Sequence, residues 1–296
     1  MDGASPLVIR TLLAAVVYVG GGPVAVAQTV PFADTEDATL SDVDVGPGRI
    51  HPIVTIDLRN GDYARGAYDD DDADLARVPV HVAIGGAITL AGGGQGERGL
   101  FLIGQSSNGF HAPSPDERTS PRSWYESNNL VGLIWRTSGG LSAGATYTIK
   151  TSPNGVASTT HEASFTALYV GDDGLGKLQP KLAVTRRTRG DGGWYTIAGI
   201  SPSIDLTQRE DGPALSLPVL VGVGWNGFYG AGSGTRLYGS GGASVAQPLT
   251  LGRAKATLQL EVLALVRDDR LRRLDAPNGT TATVVPYGTL SIRTAW

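Results

Sequence analysis

Four histidines, His51, His81, His111 and His161, are the side chains best suited to acid–base or metal chemistry. A nucleophilic triad needs a hydroxyl and a carboxylate within hydrogen-bond reach of one of them. His161-Glu162-x-Ser164 is the nearest grouping. Neighbouring residues of a strand point to opposite faces, so His161 and Glu162 cannot both turn toward one site. The histidines are too widely spaced for a local metal motif. The chain has no cysteine, which removes thiolate chemistry, cysteine-ligated zinc and a disulfide framework. Catalysis, a metal and a cofactor are therefore not expected.

Charge offers more. Asp69-Asp70-Asp71-Asp72 with Asp74 is the densest cluster. Oxygen ligands suit a hard cation, but the spacing lacks the EF-hand pattern, and a solvated loop tip is the expectation. Arg267, Arg270, Arg272 and Arg273 form the opposite cluster near the other end of the chain. They would pair with the acidic loop or meet lipopolysaccharide phosphates through bidentate hydrogen bonds. Mixed charge also recurs at alternate positions: Asp57, Arg59, Lys181, Lys255, Glu261 and Arg293.

Such residues need elements that place them on one side. The last stretch, ATVVPYGTLSIRTAW, puts Trp296, Thr294, Ile292, Leu290 and Gly288 on one face and Ala295, Arg293, Ser291, Thr289 and Tyr287 on the other. Ala254–Val262 alternates as clearly, with Lys255, Thr257, Gln259 and Glu261 between apolar residues. About twelve strands of this kind fit between His51 and Trp296, and long helical periodicity is absent. Longer connections tend to follow odd-numbered strands. These features predict an all-β fold: an antiparallel up-and-down transmembrane β-barrel of about twelve strands, apolar outside and polar inside. Trp296 then reads as a C-terminal assembly signal for the barrel-assembly machinery. The aromatics near strand ends, among them Trp124, Tyr125, Trp135, Trp194, Tyr195, Trp225, Phe228 and Tyr238, would form interfacial girdles.

The compartment follows from the other end. Leu7–Val26 is mostly apolar and Ala25-Val26-Ala27 is a small-x-small cleavage site, so residues 1–27 read as a signal peptide. Residues 28–48 read as a flexible acidic periplasmic segment, and 49–296 as the barrel. No later apolar run is long enough for a membrane helix. The 42 glycines permit tight turns and thin strand packing. A mean hydropathy of -0.03 suits a chain in which alternate residues face lipid. The net charge of -4 gives no sign of nucleic-acid binding.

Several runs resemble a family. Asp62-Tyr63-Ala64-Arg65-Gly66, Trp124-Tyr125-Glu126, Ala145-Thr146-Tyr147, Ser152-Pro153-Asn154-Gly155, His161-Glu162, and Gly193-Trp194-Tyr195 through Ser201-Pro202-Ser203 are similar to those of TorF-type porins, small Gram-negative outer-membrane barrels. Where that family carries Glu-x-Asp, this chain has Glu126-Ser127-Asn128. The resemblance implies a barrel and a pore, with no named substrate.

The expected function is thus a monomeric outer-membrane porin for small hydrophilic solutes, with the six alternating charges lining the lumen. The alternative within the same fold is a non-conducting structural or surface-interaction barrel working through loops 61–75, 107–126 and 267–281. A secreted soluble all-β module is the third reading. Outer-membrane lipid and lipopolysaccharide are the expected partners.

Overall fold

The computed structural model describes residues 49–61, 63–68, 78–92, 98–113, 120–155, 157–209, 211–251, 254–274 and 282–295. The expected signal peptide, the acidic segment, the Asp69–Asp72 cluster and Trp296 lie outside these residues. The barrel strands are β1 (Ile50–Arg59), β2 (Val80–Gly92), β3 (Gly99–Phe110), β4 (Trp124–Arg136), β5 (Leu141–Thr151) and β6 (Thr160–Tyr169). They continue as β7 (Lys181–Arg189), β8 (Gly193–Ile200, resumed at Ser203–Asp205), β9 (Ala214–Ser216 and Val219–Gly224), β10 (Arg236–Leu251), β11 (Ala254–Arg267) and β12 (Val284–Ala295). Every strand pairs antiparallel with its chain neighbours, and β12 returns to β1 from Ile53↔Ala295 to Arg59↔Thr289. The ring is therefore a closed antiparallel barrel of twelve strands.

Two strands that the sequence reads as continuous are broken. Pro202 and Pro218 carry no amide hydrogen, so the ladder lapses beside them. Leu217 N instead donates to Pro202 O, and Gly242 N to Pro218 O. The seventh strand also begins later than its sequence suggests, because Gly176–Leu178 forms a 3-10 turn. It runs on to Arg189, so the connection 190–192 is short and the rule of longer loops after odd strands fails at that hairpin.

Register decides which face each residue takes. Val245, Leu260, Leu290 and Leu58 stand opposite one another on four consecutive strands, and all four are exposed. Their neighbours in sequence, Ser244, Glu261 and Thr289, form the adjoining row and are buried inside. The outer wall is apolar and the inner wall polar, the inverse of a soluble protein. Trp124, stacked on Phe110, with Trp194 and Trp225, rings one end, and Trp135 lies at the other. Tyr63, Tyr125, Tyr195, Phe228 and Tyr238 do not join these girdles. They are buried within the barrel: Tyr195 and Tyr238 by register, Tyr125 at an irregularity between Gly109 and Phe110, and Tyr63 and Phe228 on outer connections that turn inward.

The interior holds two apolar clusters. Ile53, Ala87, Phe101, Ile103, Leu130 and Ile134 cover one wall. A larger cluster joins Tyr195, Leu220, Phe228, Tyr238, Leu263, Leu265 and Tyr287 to Tyr63 and Leu271. Gly222 makes room for it: a Cβ there would meet the Tyr238 ring at 2.2 Å, and the Tyr238 hydroxyl bonds that of Tyr195. Gly222→Val is expected to cost about 1–3 kcal/mol through overpacking, read from the urea midpoint of the refolded barrel.

Candidate functional site

The end carrying connections 60–79, 111–123, 152–159, 190–192, 225–235 and 268–283 is the outer mouth in the barrel convention. Here the first loop turns inward. Tyr63–Ala64 pairs with Ala67–Tyr68 in a small hairpin. Its two central residues, Arg65 (φ 54) and Gly66 (φ 77), are both left-handed, as two-residue hairpins require. Arg65 takes this conformation at a cost of about 1–2 kcal/mol. Gly66 has no substitute, since a Cβ would strike the Tyr238 ring at 2.5 Å.

What holds Arg65 there is Glu162 of β6, about halfway round the barrel from β1. Arg65 Nη1 and Nη2 donate to Glu162 Oε1 and Oε2, each at 2.7 Å. Arg187 of β7 donates to the same Oε1 at 3.3 Å, and Lys150 of β5 lies 3.9 Å from Oε2. Glu162 is fully buried, so its charge requires these partners. The guanidinium of Arg65 also lies 5.1 Å from the Tyr195 ring and 5.2 Å from that of Phe228. Tyr229 donates to Arg65 O at 2.6 Å. On the other side, Arg267 donates to Gly66 O and lies 5.3 Å over the Tyr63 ring, which packs on Tyr287. The hairpin thus crosses the lumen and is fixed on several walls.

A cavity of about 300 Å³ adjoins this crossing, lined by Arg65, Lys150, Arg187, Glu126, Asn154 and Tyr229 among others. Beside it, Tyr125 bonds His81 Nε2 through its hydroxyl at 2.6 Å, and His81 Nδ1 lies 3.8 Å from Glu126. Asn128 donates to Glu126 at 2.6 Å, and His111 stacks on Tyr125 at 4.6 Å. These contacts brace one wall of the mouth.

The other expected chemistry resolves differently. His161 faces Tyr147 and Arg189, with its Nδ1 2.8 Å from the Tyr147 hydroxyl, while Glu162 turns inside. His51 bonds Thr89, and His111 bonds Ala112 O. Gly140-Leu141-Ser142-Ala143-Gly144 does match the G-x-S-x-G spelling. It runs from the turn after β4 into the first residues of β5, with no helix following, so it lacks the strand–turn–helix geometry of a nucleophile elbow.

The six alternating charges all occupy inward registers. Asp57 and Arg59 pair at 3.3 Å, and Glu261 and Lys181 are buried. Lys255 is exposed at the inner end, and Arg293 stands opposite Thr257 and Thr55. None of the six belongs to the mouth cluster. Of the arginines near the last outer loop, Arg267 is the final residue of β11 and turns inward onto the first loop. Arg272 pairs with Asp269 within its own loop, and Arg273 donates to Asp269 O. Arg270 lies exposed in the short helix α1 (Asp269–Arg272), which Asp268 caps and whose Leu271 enters the interior cluster.

Sequence reasoning weighed Glu162 only beside His161 and Arg65 only within the family resemblance, and it passed over Lys150 and Arg187. Glu162 shares a strand face with Ser164 and Thr166, which is a legible signal for an inward position. Arg187 lies just beyond the strand that alternation predicts over 177–186, and Arg65 lies in a loop without periodicity.

The chain matches no family model and no curated protein. It is similar to solved structures. LpxR from Salmonella typhimurium is 10% identical, with 81% of this chain and 99% of that chain covered and a TM-score of 0.42. The translocator domain of autotransporter NalP from Neisseria meningitidis is 9% identical, covering 88% and 92%, at 0.43. A FadL homologue of Pseudomonas aeruginosa is 11% identical, covering 92% and 96%, at 0.40. The barrel assignment stands on this chain's own strand registers.

Proposed function

We propose that this chain is an outer-membrane barrel that passes small hydrophilic solutes along a polar lumen narrowed by its first outer loop. The observation that carries the reading is the inward hairpin, with Arg65 locked on Glu162 across a barrel whose outer wall is apolar. In this reading residues 1–27 direct export, and Trp296 is the signal for the barrel-assembly machinery. The barrel is a monomer in contact with lipid and lipopolysaccharide, and it catalyses no reaction. Asp57, Arg59, Lys181, Lys255, Glu261 and Arg293 line the path below the constriction.

A second reading has its own support. Glu261, Thr148, Thr185 and Ser244 are inward residues with almost no water-accessible surface, so the interior is closely filled. That favours a non-conducting barrel with a working outer surface. Planar-bilayer recording separates the two. The porin reading predicts small, infrequent openings for the natural chain and sustained conductance after removal of residues 63–68. Silence from both proteins, each folded, favours the second reading.

A further inference from the structure

The mouth cavity carries more chemistry than a latch requires. Its charged lining consists of Arg65, Lys150 and Arg187 against Glu126, and all three cations also contact Glu162 of β6. Cations therefore outnumber carboxylates by three to two in this cluster. Arg65 binds the carboxylate edge-on, Arg187 approaches one oxygen and Lys150 the other, so the positive charges crowd a single anion. Low-dielectric walls strengthen the field of these charges inside the cavity.

The rest of the lining suits an organic solute. Phe228, Tyr229 and Tyr125 present aromatic surface, and Thr151, Ser152, Ser158 and Thr160 present hydroxyls. Glu126, which accepts from Asn128 at 2.6 Å, adds carboxylate oxygens to the lining as acceptors for solute hydroxyl groups. At about 300 Å³ the space is at the small end of ligand cavities.

We infer that this cavity is a binding subsite for a small hydroxylated organic anion, a sugar-sized molecule bearing one carboxylate or phosphate. The anionic group lies beside Lys150 and the two guanidinium groups, and the hydroxyls reach Glu126 and the serine and threonine side chains. The inference rests on the mouth constriction described above and names the solute class that the constriction selects.

The test is calorimetric titration of the refolded barrel in detergent micelles with gluconate, glucose and inorganic phosphate. Gluconate is expected to bind at least tenfold more tightly than glucose, with phosphate also detected. Lys150→Gln should weaken gluconate at least fivefold, and Lys150→Arg should restore most of the affinity. Arg209→Gln, the same loss of charge on a remote exposed turn, should leave it unchanged. Heat-modifiable gel migration verifies that each variant is folded. Equal binding of gluconate and glucose, no gluconate binding by the folded natural chain, or full retention in Lys150→Gln overturns the inference. Bilayer recording of the same preparation addresses the pore separately. A silent barrel that binds gluconate keeps the subsite and removes the porin reading.

Discussion

Leu260→Arg is expected to destabilise the barrel in lipid vesicles by about 2–4 kcal/mol, because a guanidinium near the bilayer midplane must be hydrated through hydrocarbon. Leu260 is 54% exposed, in the centre of β11, with Val245 and Leu290 beside it on the same outer face. In a soluble barrel the same exposed position would accept arginine with a change of about 0.5 kcal/mol or less. Urea titration of both proteins in identical vesicles measures the difference. A small effect in vesicles would place this face in water. The adjoining Glu261 cannot be used for the comparison, since it is buried on the inner face and its loss has other consequences.

Glu162→Ala is expected to release the first loop from the lumen. Removing one partner of a buried ion pair costs about 3–5 kcal/mol, since the remaining charges lose their compensation. Here Arg65, Lys150 and Arg187 would face one another around an emptied centre. Arg65 would also lose the bidentate contact that holds it left-handed. Arg65→Ala should be milder, because Arg187 and Lys150 still attend the carboxylate. The absence of native cysteine makes the readout clean. A cysteine introduced at Ala64 should react slowly with an impermeant maleimide in the natural background and much faster with Glu162→Ala. Equal labelling in both backgrounds would mean that the ion pair does not seat the hairpin. The Arg65→Ala/Glu162→Ala double variant tests the pairwise character, with a loss smaller than the sum of the single losses.

The barrel was legible because alternation is a local property. Lys255, Thr257, Gln259 and Glu261 against Ala256, Leu258 and Leu260 state the two faces of β11 without any knowledge of its neighbours. The same reading placed Asp57, Arg59 and Arg293 on inward registers. It failed where a local rule met a tertiary one. Tyr195 and Tyr238 resemble girdle residues by type and by nearness to strand ends, yet register turns them inward onto each other. Pro202 and Pro218 interrupt strands whose apolar pattern runs through them.

The mouth cluster was hidden for a different reason. Arg65 and Glu162 are far apart in sequence, and the runs that contain them, Asp62–Gly66 and His161-Glu162, say nothing of their pairing. Only closure of the ring brings β6 opposite the loop that follows β1. Glu162 was visible as an inward residue, but its partner was not, because no periodicity governs a loop that folds back through the lumen. The six charges on inward registers and the mouth cluster are thus different sets, one written in strand alternation and the other made by topology.

The most direct test is the solvent in which the chain from residue 28 onward folds. Diluted from urea into lipid vesicles, it is expected to gain β-sheet circular dichroism and to migrate faster on a gel before heating than after. Diluted into buffer alone, it should aggregate, since the row through Leu58, Leu260 and Leu290 has no apolar phase to enter. A compact, detergent-free monomer with the same β-sheet spectrum would contradict the account.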